Sequence, residues 1–585
     1  MCTKPFQVGL CMAGAVSAGA YTAGVMDYLL EALAEWEKRK GQPGVPSHEV
    51  KIPVMGGASA GGMTAILAAS TINNAITPVD LPKPDQLLAE HPENKLYHSW
   101  VDLTAADMFP KMLDTSDIEN GKIVSVLNSK FIDEVANKMI GSNLKAWIPT
   151  PAWFTLPNKI PVKVFTTLTN LEGFSYYAGL NASGREDKYY MSVHNDYACF
   201  ELLDGIAVPT NTAWMPLNVK TGENLKTAKD AAMATGAFPI GLAPRVLERE
   251  AKYVKNIPWL SYIFNNTPLE KDVVKTLNVD GGVINNEPFE KVRDVLNEQV
   301  AHDKQLLYTT DAQKEKADEV LESYNCNYNT FENTVLMIDP FPSSQNEAFK
   351  ISTDLTDVLS KTLSAMLSQM RAKPKAYKHA MENKQDAAQF IISPSRQIRD
   401  KQGNVLEELF GDKAIACGTL SGFGGFLSKE FRIHDYYLGR YNCEVFLRDY
   451  FTVPESALTQ NPIFKEGYAL ADKGKHKSGA VKEGEEIRYQ ILPLFTERPA
   501  PGTFKVPVFS GGDNWPKIKE QDINRFDKLI RNRAQKILMN VVDLKGITKP
   551  LLYIGAKVVL NKMMAGKVMD IIKQSLTDWQ LLDKK

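Results

Sequence analysis

The chain has little of what metal, redox, nucleic-acid and membrane-spanning proteins depend on. Its 585 residues hold six cysteines, Cys2, Cys11, Cys199, Cys326, Cys417 and Cys443, and no two are close enough to make a zinc or redox pair. The same scatter argues against a disulfide framework, so a reducing cytoplasm is the expected setting. Formal net charge is -1, so no global basic field holds nucleic acid, and no nucleic-acid partner is expected. No run reaches the roughly 18 uninterrupted apolar residues of a transmembrane helix. Lys4 followed by Val8-Gly9-Leu10-Cys11 looks like a lipoprotein cleavage site. Pro5 and Gln7 leave that apolar stretch too short for an export signal, and Phe6 to Met12 reads better as a first buried strand. Gly14, Gly19 and Gly24 do not spell G-x-G-x-x-G, and no G-K-[ST] follows, which disfavours a nucleotide loop. No metal and no cofactor are expected.

What is present is a set of small-residue turns at the ends of apolar strands. Val50 to Gly56 reads as a strand, Gly57-Ala58-Ser59-Ala60-Gly61 as a turn, and Gly62 to Ser70 as the start of an apolar helix. That order is a nucleophile elbow: Gly57 and Gly61 let the chain turn sharply and leave the Ser59 hydroxyl exposed. The new helix aims its N-terminal N–H groups where negative charge would develop. Upstream, Ala13-Gly14-Ala15-Val16-Ser17 joins the first strand to a helix, and consecutive N–H groups there could receive an oxyanion.

A serine hydroxyl needs a base. The eight histidines are His48, His91, His98, His194, His302, His379, His434 and His476, and none sits in an obvious strand-end loop after the last core strand. His434 falls in a helical stretch and reads as a structural or surface residue. Asp280 is the better candidate. It ends the apolar strand Thr276-Leu277-Asn278-Val279, and Gly281 and Gly282 would leave its carboxylate unhindered. An ordinary Asp-Gly turn would be the plainer explanation were the serine elbow and the glycine loop not also there.

These three elements, in this order, resemble the patatin-like phospholipase family. The matching residues are Gly14 to Gly19 for its oxyanion loop, Ser59 for its G-x-S-x-G, and Asp280-Gly281-Gly282 for its D-G-[GA]. Ala234-Thr235-Gly236-Ala237-Phe238-Pro239 and Val283-Ile284-Asn285-Asn286-Glu287-Pro288 are similar to further family segments. Gly424-Gly425-Phe426-Leu427 through Arg440 is similar to a stretch of long bacterial members. The resemblance spans about residues 5–345 and parts of 410–450. It implies a Ser59–Asp280 dyad, oxyanion donors at Gly14, Ala15 and Val16, and a phospholipid or other lipid ester as substrate. Ala18 stands where the family usually carries a basic residue. Two other readings stay open: a Ser-His-Asp carboxylesterase, and a lipid-binding scaffold whose site has decayed.

Strands alternating with helices predict an α/β fold with a parallel sheet, and the resemblance implies a three-layer αβα core with a central, mostly parallel sheet. The core is expected over 1–345, with a helical insertion at about 71–150 and Val335 to Pro340 as its last strand. A mainly helical accessory region is expected over 346–585, with helical segments dominating 346–388 and Leu355, Leu359, Leu363 and Leu367 on one face. The tail Leu551 to Lys573 mixes apolar residues with lysines. It reads either as a helix lying on a membrane surface or as one packed on the protein with its lysines in water. Trp147, Phe154 and Phe174 are candidate rim or acyl-pocket residues, with core packing as the alternative.

Overall fold

The computed structural model describes residues 4–74, 93–102, 108–140, 147–179, 188–203, 213–265, 267–308, 310–342, 351–354, 358, 361–362, 365, 386–400, 402, 404–481, 484–495, 515–541 and 565–584. Ten strands form the central sheet: β1 (Phe6–Met12), β2 (Val50–Lys51), β3 (Val54–Gly57), β4 (Lys163–Gly179), β5 (Lys188–Leu202), β6 (Met215–Leu217), β7 (Arg245–Glu250), β8 (Val273–Asp280), β9 (Asn333–Ile338) and β10 (Gln389–Ile392). The main order is β10-β9-β1-β3-β4-β5-β6, with β2 beside β1 and a β7–β8 arm attached to β4. Pairing is parallel from β10 through β4 and again between β5 and β6. It is antiparallel for β4 with β5 and β8, and for β7 with β8.

The sheet has an apolar layer on each face, and strand periodicity assigns residues to them. Leu10 and Met12 of β1, with Leu336 and Ile338 of β9, join the cluster holding α1 (Gly19–Arg39) and α2 (Ser59–Thr71). Cys11, Val335 and Met337 point the other way, onto Val292, Val295 and Leu296. Both faces are covered, so β1 and β9 read as near-continuous apolar runs rather than alternating ones. The three layers are those expected of an αβα core.

Five further helices complete the frame relevant here: α3 (Lys130–Met139), α4 (Leu225–Thr235), α5 (Phe289–Asp303), α6 (Lys429–Asp449) and α7 (Phe526–Val541). Val292, Val295 and Leu296 belong to α5. Helices α1 and α6 approach each other closely. A Cβ on Gly24 would stand 1.9 Å from the Tyr436 carbonyl oxygen, and one on Gly439 would stand 2.2 Å from the Tyr21 carbonyl oxygen. Two glycines thus let the two backbones touch. Arg440 of α6 locks the crossing by pairing with Asp27 and, at 2.5 Å, with Glu31.

The sheet does not end at Val335 to Pro340. β10, from beyond residue 345, adds a parallel edge strand in register with β9. Of its four residues Gln389 and Phe390 are partly buried, Ile391 is exposed and Ile392 is buried, so it leaves no strong apolar pattern in the sequence. Leu355, Leu359, Leu363 and Leu367, and tail residues 551–564, lie outside the described residues. The described end of the tail, a helix over 565–578, turns Ala565, Met569, Ile572 and Leu576 into the main core.

Candidate active site

Three strand ends converge. β3 stops at Gly57, and α2 begins at Ser59 with the serine held at φ 50°. That left-handed conformation costs a residue with a Cβ about 1–2 kcal/mol, and such strain concentrates where a side chain must be aimed. Close packing enforces the elbow. A Cβ on Gly61 would stand 2.1 Å from the Met12 carbonyl oxygen, so the helix start lies directly against the end of β1. Gly57 meets the Gly61–Gly62 backbone on its other side in the same way. The Ser59 N–H donates to Thr235 Oγ1 at 2.8 Å, tying the elbow to the end of α4.

Asp280 ends β8 opposite Leu168 of β4. Its N–H donates to the Ala237 carbonyl at 2.9 Å, and its carbonyl accepts from Thr169 Oγ1 at 2.8 Å. Its Oδ1 accepts from the Gly282 N–H at 2.7 Å, and its Oδ2 accepts from Ser59 Oγ at 2.6 Å. A Cβ on Gly281 would stand 2.1 Å from the Thr167 carbonyl oxygen, so the D-G-G turn is pressed against β4. Burial pushes the Asp280 carboxyl up to about 6, while the hydrogen bonds from Ser59 and Gly282 hold it back from rising further.

The loop after β1 passes beside this pair. A Cβ on Gly14 would come 2.2 Å from Asn286 Oδ1 and 3.0 Å from Ser59 Cβ. Gly14 does not offer its amide to the cavity, because that N–H donates to the Asn286 carbonyl at 3.2 Å. Among the described residues, the Ala15 and Val16 N–H groups meet no acceptor. Val16 lines the same cavity as Ser59 and is held at φ 49°, a rare conformation for a β-branched residue. Of the three expected oxyanion donors, then, Gly14 anchors the loop, and Ala15 and Val16 keep open amides.

The C-terminal half supports this loop. Ser17 Oγ donates to the Gly422 carbonyl and accepts from the Gly425 N–H at 3.0 Å. Arg432, buried on α6, donates to the Gly425 carbonyl and, at 3.1 Å, to the Val101 carbonyl.

Over the pair lies a cavity of about 120 Å³. Its wall is apolar: Met63 of α2, Trp100, Met108, Phe131 and Met139 from the expected insertion, Met233 of α4, and Phe426. Four methionines give it adaptable side chains. Among its described lining residues, only Asp280 and Arg432 are ionisable and none is a histidine. His434 is fully buried elsewhere, hydrogen-bonded to Asp435 Oδ1 at 2.7 Å and packed edge-on against Trp515, and burial lowers its pKa. Phe154 and Phe174 are core residues, in separate apolar clusters, and Trp147 lies against Lys220; none of the three lines the cavity.

Sequence reasoning missed Thr235 and Asn286 as anchors and nearly all of the wall. One signal was present. Phe131, Ile132, Val135, Ala136 and Met139 recur at helical spacing on one side of α3, Ile140 follows directly after it, and all six line the cavity.

A serine on a strand–helix elbow, hydrogen-bonded to a carboxylate over an αβα core, places the chain among α/β proteins with a hydrolase-type elbow. Residues 10–293 match the model of the family described as patatin-like phospholipase. Residues 10–293 are thus a patatin-like phospholipase domain, and that family supports a lipid acyl hydrolase at a coarse level. A relative, the uncharacterized protein y4iI of Sinorhizobium fredii (strain NBRC 101917 / NGR234), is 29% identical over 589 aligned residues. That alignment covers 92% of this chain and 77% of the relative, so the likeness runs on through the C-terminal half.

Proposed function

We propose that the protein cleaves fatty acyl esters of phospholipids or related lipids with a Ser59–Asp280 dyad. The observation that carries this reading is the 2.6 Å hydrogen bond from Ser59 Oγ to Asp280 Oδ2 at the foot of an apolar cavity. Asp280 takes the hydroxyl proton as Ser59 Oγ attacks the ester carbonyl. The carbonyl oxygen, now an alkoxide, receives the N–H groups of Ala15 and Val16. Collapse breaks the ester C–O bond, and the protonated Asp280 gives its proton to the leaving alkoxide. Water then attacks the acyl-serine, Asp280 takes its proton, and the fatty acid departs as Ser59 regains a proton.

The raised carboxyl of Asp280 suits this work. A base with a pKa of about 6 is ionised at neutral pH yet more basic than an ordinary carboxylate. The Ser-His-Asp alternative lacks support, because no histidine is among the described lining residues of the cavity. The decayed-scaffold alternative leaves the strained Ser59 backbone without a purpose. The domain boundary near residue 345 we keep as a proposal about evolutionary modules. In packing, α6 and the Gly422–Arg432 stretch work as parts of the site. The test is ester hydrolysis by wild type, Ser59→Ala and Asp280→Asn: both variants should fold and be inactive, and a folded, fully active Asp280→Asn protein would point to another base.

A further inference from the structure

Four large apolar residues on two hydrogen-bonded segments are exposed to solvent. Ile240 is 79% exposed, and Val124, Val126 and Phe238 are 49, 43 and 41% exposed. Backbone hydrogen bonds put them together: the Val126 N–H donates to the Ile240 carbonyl at 2.8 Å, and the Leu127 N–H donates to the Gly241 carbonyl at 2.9 Å. The Phe238–Leu242 loop is also closed on itself, with the Leu242 N–H donating to the Phe238 carbonyl at 2.8 Å. Beneath it, Leu242 is buried with Met108, Met112 and Phe131. Ile240 is thus held in solvent by a fixed loop. It sits at φ 67°, where a β-branched residue is an outlier, and such outliers cluster at functional positions.

This patch is continuous with the cavity. Phe238 lines the space above Ser59 and Asp280 while keeping part of its ring in solvent. It packs edge-on against Phe423, which packs against Phe426, another wall residue. Ser59 itself is only 6% exposed, so an ester reaches it through the cavity that Phe238 lines. Contiguous exposed apolar surface marks an interaction site. A protein or a second copy seated here would cover the entrance, whereas a lipid surface delivers substrate through it. The described end of the C-terminal helix is less available for this task. Ala565, Met569, Ile572 and Leu576 face the core, the exposed Val568 and Ile571 line no part of the cavity, and Lys573 pairs with Glu520 at 2.8 Å.

We propose that Val124, Val126, Phe238 and Ile240 form a docking rim that inserts into a lipid surface and hands acyl esters to the Ser59 cavity. This rests on the lipid-ester reading above. Docking is apolar, so it works on neutral lipid and tolerates salt.

The test uses the full-length protein, phosphatidylcholine vesicles and a Val124→Asp/Ile240→Asp variant; aspartate accepts positive φ more readily than isoleucine. Wild type and Ser59→Ala should sediment with the vesicles to the same extent, with little loss in 0.5 M salt (about twice the screening of physiological salt). The double variant should bind at least about tenfold less and hydrolyse vesicle lipid about tenfold more slowly. Its hydrolysis of monomeric p-nitrophenyl butyrate, and its labelling by a fluorophosphonate, should match wild type. Wild-type-like sedimentation by the folded double variant overturns the proposal. So does a wild-type dimer in the ultracentrifuge that the double variant converts to monomer. Failure of the dyad reading would appear separately, as wild type that sediments but neither labels nor hydrolyses the soluble ester.

Discussion

The floor and the wall of the Ser59 cavity are built by opposite means. The floor is backbone: Gly14 to Val16, Gly57 to Gly61 and Asp280 to Gly282 are small residues packed so closely that added Cβ atoms would fall 2–3 Å from neighbouring atoms. Its conformation is strained at Val16 and Ser59 and held by short hydrogen bonds. The wall is side chain: methionines and aromatics drawn from α2, α3, α4 and the 423–432 stretch, with few polar atoms to fix them. A floor of this kind sets which bond breaks and tolerates almost no change. A wall of this kind sets which acyl chain fits, and it can be repacked.

If that division is right, changes to the floor are catastrophic for turnover and changes to the wall are graded. The largest effect is expected at Ser59→Ala and Asp280→Asn, each lowering kcat/KM for a lipid ester by about 10,000-fold. Thermal unfolding should separate chemistry from stability here. Asp280 titrates at about 6 in the folded protein against an ordinary 3.8, so folding favours its protonated form. The penalty on the ionised form is absent below about pH 4, grows as pH rises from there to 6, and stays at about 3 kcal/mol above that. Asp280→Asn should therefore unfold no earlier than wild type at pH 8.

Next comes Gly14→Ala. Its methyl group would meet Asn286 Oδ1 and Ser59 Cβ, displacing the loop that carries the Ala15 and Val16 amides. A loss of about 100-fold in kcat with little change in KM is expected, the pattern for a lost oxyanion donor. A rise in KM alone would move Gly14 from the floor to substrate binding.

The pH profile is a smaller, continuous probe of the floor. Asp280 must be ionised to accept the serine proton, so kcat/KM should be flat above neutrality and fall about tenfold per unit below pH 6. A limb centred near 7 that persists in Asp280→Glu would speak for a histidine.

The wall should respond least. Ala136→Phe on α3 narrows the cavity. It should cut kcat/KM for long-chain esters about tenfold against short-chain ones, at about 0.8 kcal/mol for each methylene excluded, and leave short-chain turnover near wild type. Equal losses on both substrates would blur the distinction between floor and wall.

The same division explains what could be read from the sequence. Floor residues are local: Ser59 with Gly57 and Gly61, and Asp280 with Gly281 and Gly282, each belong to one short strand-end motif whose chemistry is recognisable. Gly14 is expected as a donor, yet its N–H is taken by the carbonyl of Asn286, 272 residues away. Which amide of a loop stays open depends on such distant contacts. The wall is assembled from segments that meet only in the folded chain, so Met63, Trp100, Met233 and Phe426 give no common pattern. β10 escaped for a related reason, since an edge strand of four residues with only Ile392 buried carries little periodicity. Gly24 and Gly439 look like ordinary helical glycines until α1 and α6 are seen to touch through them.

The central claim is that Asp280 alone activates Ser59. Its most direct test is the rate at which a fluorophosphonate probe labels wild type and Asp280→Asn at pH 7.5, with the modified residue mapped by mass spectrometry. Wild type should be labelled at Ser59, and folded Asp280→Asn about 1,000-fold more slowly or not at all. Labelling of Ser59 at the wild-type rate in Asp280→Asn, or labelling of a different residue in wild type, would contradict the dyad.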